Sequence, residues 1–411
     1  MKKGVIIAAL ICALTTANGQ ERKAIFIIID GVSKDVLEKV STPNLDAIAQ
    51  EGGLLSAYQG GELNGYSQTP TISAPGYNNV LTGVWFNKHN VRDNSIKAPN
   101  YNYPTIFRLF EDQFPGKQTA VFSSWQDNRT KLIGEGLAQT GNIRLDHYFD
   151  GLELDTVKYP HDKARKFMSV IDQAVTDDAV RSIRQNAPDL SWVYLEFTDD
   201  MGHAFGDSEQ YFDAVKQGDR QIGQIWAVIK ERKEKFNEDW LIIVTTDHGR
   251  DAASGKNHGG QSERERASWI ITNANPLSKH AIQTNLVSVV DILPTIARFL
   301  KVKLSSERQG ELDGVALIGK VSLTQPVATK NAGEITLSWL PLEKKGKIKV
   351  WLSETNNYKL SGESDKYRRA GVVPVKEGKF TIDLGPEACS NFYKIVLEGK
   401  YNSVNRWILT K

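Results

Sequence analysis

Cysteine is almost absent from this sequence, whose 411 residues contain 2 Cys beside 7 His. Two cysteines cannot build a disulfide-rich scaffold or a cysteine-ligated zinc domain, so any bound metal must be held by histidines and carboxylates. A charge excess is also missing, because 51 Lys+Arg oppose 49 Asp+Glu. This balance gives no compositional argument for binding to nucleic acid or to a membrane surface. The 40% of hydrophobic and 24% of charged residues are typical of a folded globular chain.

The sequence has no hydrophobic run long enough to span a membrane, and the N-terminus has the pattern of a targeting segment. Lysines precede a short apolar run, Val5–Leu14, and small residues follow it up to Gly19. This order is typical of a secretory signal peptide, and the run is too short for a permanent membrane helix. We expect residues 1–19 to be cleaved and the mature chain not to insert stably into a membrane. It would then keep only Cys389, which suits a periplasmic or secreted protein of bacterial type.

Two kinds of pattern divide the rest of the chain. Up to residue 322, continuous apolar runs such as Lys23–Ile29 and Trp240–Thr245 alternate with stretches of helical periodicity. This alternation predicts an α/β fold, a three-layer sandwich with a mostly parallel central sheet. Short alternating strands separated by Gly, Asn and Pro turns then predict a small all-β sandwich over residues 323–411. We expect a linker at Gln325–Thr329.

Carboxylates and histidines follow three of the predicted strands, and a further histidine lies in the Gly-rich loop after the third strand: Asp30, Asp199, His203, Asp247, His248 and His258. The carboxyl ends of parallel strands meet at one edge of a sheet, so we expect these side chains to lie together. Each residue alone is more often a cap or a packing residue, but their joint occurrence favours a site. Carboxylates and neutral imidazoles suit zinc, and a pair of ions can stabilise a phosphoryl displacement.

Ser73 is the candidate nucleophile, because it begins a predicted helix. A serine at this position is, by base rate, simply an N-cap. The same position also offers backbone N–H groups and the positive end of the helix dipole to a phosphate. A hydroxyl that lies against a metal ion loses its proton readily and becomes nucleophilic.

These motifs resemble the alkaline phosphatase superfamily, in particular its type I phosphodiesterase/nucleotide pyrophosphatase-like branch, over about residues 23–318. In that branch the nucleophile has Pro at +2 and precedes the Gly of a Thr-Gly pair by ten residues, as Ser73 precedes Thr82-Gly83. The phosphate-binding Asn of the branch follows the nucleophile by twenty-one residues, as Asn94 does. The Asp-x-x-Gly-His and Asp-His-Gly motifs of the branch match residues 199–203 and 247–249.

The resemblance implies a phosphoric ester hydrolase of phosphodiesterase type with two divalent metal ions, which we expect to be zinc. Its substrate would be a small phosphorylated molecule, either a nucleotide or another phosphodiester. Two metal-binding groups are implied: Asp199, His203 and His258 for one ion, and Asp30, Asp247, His248 and the Ser73 hydroxyl for the other. Ser73 would attack phosphorus, and Asn94 with the Ala74 backbone N–H would bind a non-bridging oxygen.

Two departures from the branch concern the nucleophile and the leaving group. Thr71 lies two residues before Ser73, but only Ser73 fits both the Pro and the Gly spacing. Residues 76–79 differ from the usual Asn-His-Tyr of the branch. A sulfatase shares the fold, but its motif needs Arg where this chain has Tyr77.

Three alternatives remain beside the phosphodiesterase. Phosphomonoester and sulfatase-like hydrolysis are possible on the same fold. A non-catalytic binding protein that uses its C-terminal β-module is an alternative of a different class.

Overall fold

The computed structural model describes residues 20–385 and 390–410. The predicted signal peptide and both cysteines lie outside these residues. Within them, none of the helices combines the length and the apolar character that crossing a membrane requires.

A mixed sheet of eight strands forms the centre of the larger part of the chain. Its strands are β1 (Glu21–Ile29), β2 (Gly53–Tyr58), β3 (Thr119–Ser123), β4 (His147–Phe149), β5 (Leu190–Leu195), β6 (Glu238–Thr245), β7 (Ala267–Thr272) and β8 (Val287–Ser288). They lie in the order β4-β3-β5-β1-β6-β7-β2-β8. Strands β4, β3, β5, β1 and β6 run parallel, whereas β7 pairs antiparallel with both β6 and β2.

The central strand β1 shows why its apolar run is continuous. Ala24, Phe26 and Ile28 belong to the hydrophobic core on one face of the sheet. Their neighbours Ile25, Ile27 and Ile29 belong to the core on the other face. Successive side chains of a strand point to opposite faces, so a strand covered on both sides must be apolar throughout. The predicted three-layer α/β architecture is therefore confirmed.

Helices cover both faces of this sheet. They are α1 (Lys34–Lys39), α2 (Pro43–Glu51), α3 (Ser73–Thr82), α4 (Phe86–His89), α5 (Ile106–Glu111), α6 (Lys166–Gln185), α7 (Phe197–Phe205), α8 (Glu209–Lys235), α9 (Glu263–Arg266), α10 (Lys279–Gln283), α11 (Ile292–Phe299) and α12 (Ser306–Glu311). A π-helical segment spans Asn128–Ile133, and short 3₁₀ segments cover Ala138–Thr140, Leu152–Leu154 and Val289–Asp291. A single residue, Glu196, separates the end of β5 at Leu195 from the start of α7 at Phe197.

Two antiparallel sheets form the C-terminal β-module. Its elements are β9 (Leu323–Asn331), β10 (Glu334–Pro341), β11 (Lys347–Ser353), α13 (Asn357–Ser361), β12 (Arg368–Pro374), the 3₁₀ segment Val375–Glu377, β13 (Lys379–Asp383), β14 (Phe392–Glu398) and β15 (Ser403–Leu409). The orders are β13-β10-β9 and β12-β11-β14-β15, and one apolar core lies between the sheets. The all-β prediction for this part is confirmed.

The predicted linker at Gln325–Thr329 is wrong, because these residues lie within the edge strand β9. Pro326 suggested a linker, since proline cannot donate a hydrogen bond within a sheet. An edge strand tolerates proline, however, especially beside an irregularity in the pairing. The pairing between β10 and β9 shifts register between Ser338 and Leu340, opposite this proline.

A buried ionic contact joins the β-module to the larger part of the chain. Lys88 Nζ, with no exposed side-chain surface, lies 2.6 Å from Asp313 Oδ1 and 2.9 Å from Asn405 Oδ1 of β15. Lys394 of β14, equally buried, pairs with Glu311 Oε1 at 2.7 Å. Buried charges are costly unless they are paired. Lys88 and Lys394 each have an acidic partner in their own part, Asp313 and Asp365, and the pair of Lys394 with Glu311 also joins the two parts.

Candidate functional site

The predicted site residues follow three neighbouring strands at the middle of the sheet. Asp30 follows β1, and β1 lies between β5 and β6. Asp199 and His203 lie on α7, which begins directly after β5, and Asp247 and His248 follow β6. The carboxyl edge of the sheet thus brings together the side chains that the strand pattern indicated.

Three of these side chains form the first ligand group, Asp199, His203 and His258. Asp199 and His203 are four residues apart on α7, so they share one helix face. The Nε2 atom of His203 lies 3.2 Å from Asp199 Oδ2 and 3.0 Å from His258 Nε2. Ligands of a tetrahedral zinc ion at 2.0–2.1 Å lie about 3.3 Å from one another, so the spacing fits such an ion.

The second ligand group is Asp30, Asp247 and His248. His248 Nε2 lies 3.3 Å from Asp30 Oδ1 and 3.1 Å from Asp247 Oδ2. The side chains of all three are at most 2% exposed. Asp199 also comes within 4.8 Å of Asp30 and His248, so it lies between the two groups. The groups are therefore adjacent.

Each aspartate of the two groups is anchored through one oxygen. Asp30 Oδ2 accepts from the hydroxyls of Tyr77 and Tyr194, the latter at 2.7 Å. Asp247 Oδ1 accepts from the Gly31 backbone N–H at 3.1 Å, and Asp199 Oδ1 accepts from Arg250. The second oxygens of Asp30 and Asp247 are buried without a hydrogen-bond partner, as is His248 Nε2. Buried polar atoms are rarely left unpaired, and three that face one another fit a cation.

The histidines are oriented for metal binding. His248 Nδ1 lies 3.0 Å from the Gly249 carbonyl, and His258 Nδ1 lies 2.9 Å from the Thr71 carbonyl. A carbonyl can only accept, so Nδ1 carries the proton and Nε2 presents its lone pair to the centre of each group. Metal-binding histidines commonly donate their second ring nitrogen in this way. Both groups therefore fit a divalent ion.

The pKa values show how much negative charge is confined here. Burial raises the pKa of Asp30 to about 7, and the charge of Asp199 acts in the same direction. Burial, followed by the charges of Asp30 and Asp199, raises the pKa of Asp247 well above its ordinary value. Burial also lowers the pKa of His248 well below its usual value. The imidazole is thus neutral, as a metal ligand must be, and the carboxylates need a cation to ionise together.

The pKa of Asp199 shifts in the opposite direction, because the guanidinium of Arg250 is in contact with its carboxylate. Burial alone would raise its pKa, but the Arg250 guanidinium, a hydrogen bond from His203 and the other histidines together hold it below the ordinary range. The side chain of Arg250 is completely buried.

Ser73 is the first residue of α3, and its side chain does not cap the helix, which has Ile72 at its N-cap. The N-cap alternative is therefore wrong. Thr71, the other hydroxyl considered, is buried and fully engaged. Its hydroxyl donates to the Gly260 carbonyl at 2.8 Å and accepts from the Gly259 N–H at 3.0 Å.

Asn94 lies beside the start of α3. Its Oδ1 accepts from the Ala74 N–H at 3.0 Å. The two groups that the resemblance assigned to one phosphate oxygen thus contact each other. The Asn94 side-chain NH₂ is the donor that this contact leaves available.

A cavity of about 260 Å³ opens beside these residues. Its walls are formed by Asp30, Ser73, Tyr77, Asn94, Trp125, Tyr194, Glu196 and Asp199. The candidate nucleophile, the candidate oxyanion donor and one aspartate from each ligand group therefore face a common space, which is large enough for a small ligand.

Sequence reasoning missed Tyr77, Tyr194, Arg250 and Asp172. Tyr77 had a signal, because it departs from the pattern of the resembling branch and lies one helical turn after Ser73. Arg250 follows the Asp-His-Gly motif directly. Tyr194 and Asp172 carried no signal, since their role depends on contacts between distant parts of the chain.

Replacing Tyr77 by phenylalanine should weaken the second ligand group. One of the two hydroxyl donors to Asp30 Oδ2 is lost, while Tyr194 keeps the other. Outer donors of this kind affect metal affinity or activity by about 10-fold to 100-fold, and we expect a loss of about 10-fold in zinc affinity. Competition with a chromophoric chelator measures it. Tyr148→Phe, at an exposed position, is the matched control, and equal affinities in both variants would contradict the role of Tyr77.

Asp172 of α6 holds the helix that carries Asp199 and His203. Its carboxylate accepts from the backbone N–H groups of Glu196 at 3.1 Å and Phe197 at 2.9 Å, at the start of α7. Ser124 Oγ donates to the same carboxylate. Burial raises the pKa of Asp172 to about 7, although these hydrogen bonds oppose the shift.

The raised pKa predicts a pH dependence of stability. The folded state binds the proton of Asp172 more tightly than the unfolded state, so the free energy of unfolding falls as pH rises from about 4 to about 7. Between pH 5 and 8, the contribution of Asp172 lowers the free energy of unfolding of the wild type by on the order of 3 kcal/mol, and Asp172→Asn should abolish this part of the pH dependence. Urea unfolding in chelator measures it, with exposed Asp177→Asn of the same helix as control. A pH dependence that both variants share would contradict the assignment.

The sheet, its helical layers and the ligand groups at its strand ends define an alkaline phosphatase-like fold. Two solved structures share it: that of Ps i-CgsB, at 16% identity and TM-score 0.51 over 78% of this chain and 84% of that chain, and that of BT1596, a 2-O GAG sulfatase, at 12% identity and TM-score 0.51 over 89% and 85%. At these identities the likeness concerns the fold alone.

The family model for type I phosphodiesterase/nucleotide pyrophosphatase matches residues 24–270. The match covers more than half of the chain, which therefore belongs to this family. Ectonucleotide pyrophosphatase/phosphodiesterase family member 7 of Rattus norvegicus is 25% identical over 256 residues, 60% of this chain and 54% of the relative. The human member 7 is 23% identical over 57% and 49%. The chain thus spans about half the length of these curated relatives, which are phosphoric ester hydrolases by name.

Proposed function

We propose that this chain is an exported hydrolase of phosphoric diesters that uses Ser73 as its nucleophile and two divalent metal ions. One observation carries the proposal: two adjacent ligand groups, of which the group of Asp30, Asp247 and His248 has unpartnered buried atoms, lie at a cavity that Ser73 and Asn94 also line. Membership of the phosphodiesterase family supports the same reaction class. The proposed substrate is a nucleotide or another small phosphodiester.

Zinc is the ion that we propose for both groups. One group offers two imidazoles and a carboxylate, and the other offers one imidazole and two carboxylates, which are donor sets that zinc accepts. When bound, the ions would supply Lewis-acid stabilisation of the charge that develops at phosphorus and would lower the pKa of the nucleophile.

Ser73, Asn94 and the start of α3 have different roles in the proposed reaction. The Ser73 Oγ atom forms a bond to phosphorus while the bond from phosphorus to the leaving-group oxygen breaks, and the proton that Ser73 loses ends on the departing oxygen or in solvent. The Asn94 NH₂ group donates to a non-bridging oxygen, and the N-terminal end of α3 adds its dipole. Water then cleaves the phosphoserine, releases a phosphomonoester and restores the Ser73 hydroxyl.

The side chains that line the cavity support a diester over a monoester as the substrate. Its walls carry the carboxyl groups of Asp30, Glu196 and Asp199, and the residues that line it include no lysine or arginine. Arg250 is buried behind Asp199. Arg165 donates to Asp200 and lies 3.4 Å from Glu196. A monoester dianion brings one more negative charge than a diester and would find no basic side chain among these lining residues to offset it.

Tyr77 supports a phosphate ester rather than a sulfate ester. A sulfatase motif needs arginine at this position, whereas the tyrosine hydroxyl here donates to Asp30.

A panel of three substrates tests the proposal. We expect bis(p-nitrophenyl) phosphate to be turned over faster than p-nitrophenyl phosphate, and p-nitrophenyl sulfate to be the poorest substrate. A chelator should abolish turnover, and added zinc should restore it. Faster turnover of the sulfate would contradict the phosphodiesterase assignment, and activity that resists chelation would contradict the metal dependence.

Export is proposed from the N-terminal pattern alone. The mass of the protein recovered from the periplasm or medium should correspond to a chain that begins at Gln20. A retained N-terminus would contradict cleavage.

A further inference from the structure

Arg250 distinguishes the two ligand groups, because it is a fixed cation in contact with one of them. Its Nη2 donates to the Asp199 backbone carbonyl at 2.9 Å and also to Asp199 Oδ1. Its Nε donates to the Gly31 carbonyl at 3.1 Å. The side chain has no exposed surface. A guanidinium stays protonated in proteins, so this positive charge is permanent.

The surroundings of Arg250 prevent the guanidinium from moving away from Asp199. A Cβ atom added at Gly202 of α7 would lie 2.1 Å from Arg250 Cζ, and one added at Gly31 would lie 2.6 Å from Nη2. The guanidinium therefore fills the space beside these two glycines. Asp199 Oδ1 remains bound to it, and Asp199 Oδ2 is the oxygen left for an ion.

The anchors of the other two aspartates carry no charge. Tyrosine hydroxyls anchor Asp30, and a backbone N–H anchors Asp247. With neutral histidines, the group of Asp30, Asp247 and His248 therefore has a formal charge of about −2, whereas Asp199, His203, His258 and Arg250 together are about neutral. Attraction for a divalent ion depends directly on this charge.

The solvent exposure of the two ligand groups also favours tighter binding at Asp30, Asp247 and His248. The side chain of His203 is 45% exposed, whereas those of Asp30, Asp247 and His248 are at most 2% exposed. Water screens and competes for an ion at the first group more than at the second.

We propose that Arg250 makes the group of Asp199, His203 and His258 a low-affinity, exchangeable metal site beside a high-affinity site at Asp30, Asp247 and His248. Metal loading then occurs in two steps, and the second step depends on the concentration of free metal. This inference rests on the metal binding in the proposed function, but it concerns affinity rather than turnover.

Zinc titration of the metal-free protein against a chromophoric chelator tests the inference without any substrate. We expect two zinc ions per chain, with dissociation constants that differ by about 100-fold or more, given two units of charge difference. Arg250→Met, which removes the cation but keeps an unbranched side chain, should tighten the weaker site by about 10-fold and the tighter site by less, so that the two affinities move closer together. Arg250→Lys keeps the charge and should leave the weaker site weak.

His203→Ala provides a test that does not require an Arg250 variant to fold. It should abolish the weaker class of binding and retain one tightly bound zinc. Equal affinities in the wild type, a weaker second site in Arg250→Met, or loss of the tight class in His203→Ala would each overturn the inference. None of these outcomes contradicts the proposed hydrolysis, whereas a failure of the protein to bind zinc at all would contradict the metal part of the proposed function.

Discussion

Turnover of bis(p-nitrophenyl) phosphate should fall by about 10³-fold or more when Ser73 is replaced by alanine, because the proposed nucleophilic atom is then missing. The first residue of α3 faces the cavity, and its side chain does not cap the helix. Its removal should therefore change the chemistry and leave the fold intact. Steady-state turnover and a melting curve measure the two effects.

Zinc content separates this effect from a loss of the metal centre. The Ser73→Ala variant should retain two zinc ions, since the six carboxylate and imidazole ligands remain. Ser361→Ala, an exposed serine of α13 in the β-module, is the matched control and should behave as the wild type. Activity in Ser73→Ala close to that of the control would exclude Ser73 as the nucleophile and would require another residue of the cavity to take that role.

Asp247→Asn should have the second large effect. Because Asp247 Oδ1 accepts from the Gly31 N–H, the introduced amide keeps its oxygen there and places its NH₂ 3.1 Å from His248 Nε2. That NH₂ donates to the lone pair that would otherwise bind an ion. We expect the loss of one zinc ion and a decrease in turnover of at least about 100-fold, beyond the effect of an outer donor.

The same substitution should stabilise the protein once metal is removed. Metal-free wild type confines Asp30 and Asp247 in a buried group without a cation, whereas the variant removes one of these charges and pairs His248. In chelator, Asp247→Asn should therefore melt several degrees above the wild type, and with zinc the order should reverse. Asp239→Asn, at a half-exposed residue of β6, is the control. A variant that melts below the wild type in both conditions would show that Asp247 supports the fold rather than a metal ion.

Features that depend on local pattern were predictable from the sequence. The continuous apolar run of β1 required burial on both faces, and the aspartates and histidines that follow β1, β5 and β6 indicated their meeting place. The position of Ser73 came from its spacing to Gly83 and Asn94 within the resemblance. The alternation of Glu334–Leu340 and of the short segments that follow it predicted the β-module.

Features that depend on distant contacts were not predictable. Nothing near Asp172 indicates that it would accept hydrogen bonds at the start of α7, because the contact exists only once α6 packs against β5. The salt bridge between Arg250 and Asp199 spans α7 and the loop after β6. Pro326 misled the prediction, because a sequence does not reveal which strand will lie at an edge beside a register shift.

Lys88 and Lys394 each make a contact across the junction between the larger part of the chain and the β-module. These contacts have a consequence for how the chain can be divided into fragments. The change from an α/β to an all-β pattern at residues 322 and 323 marks a change in topology, but Glu311 before it pairs with Lys394 after it, and Lys88 donates to Asn405 across it. A fragment that ends there would deprive Glu311 of its ion-pair partner Lys394 and Lys88 of Asn405, while Lys88 would keep Asp313. The β-module is thus better regarded as a structural component of the larger part of the chain than as an independent domain. Expression fragments and domain exchanges should keep residues 20–411 together.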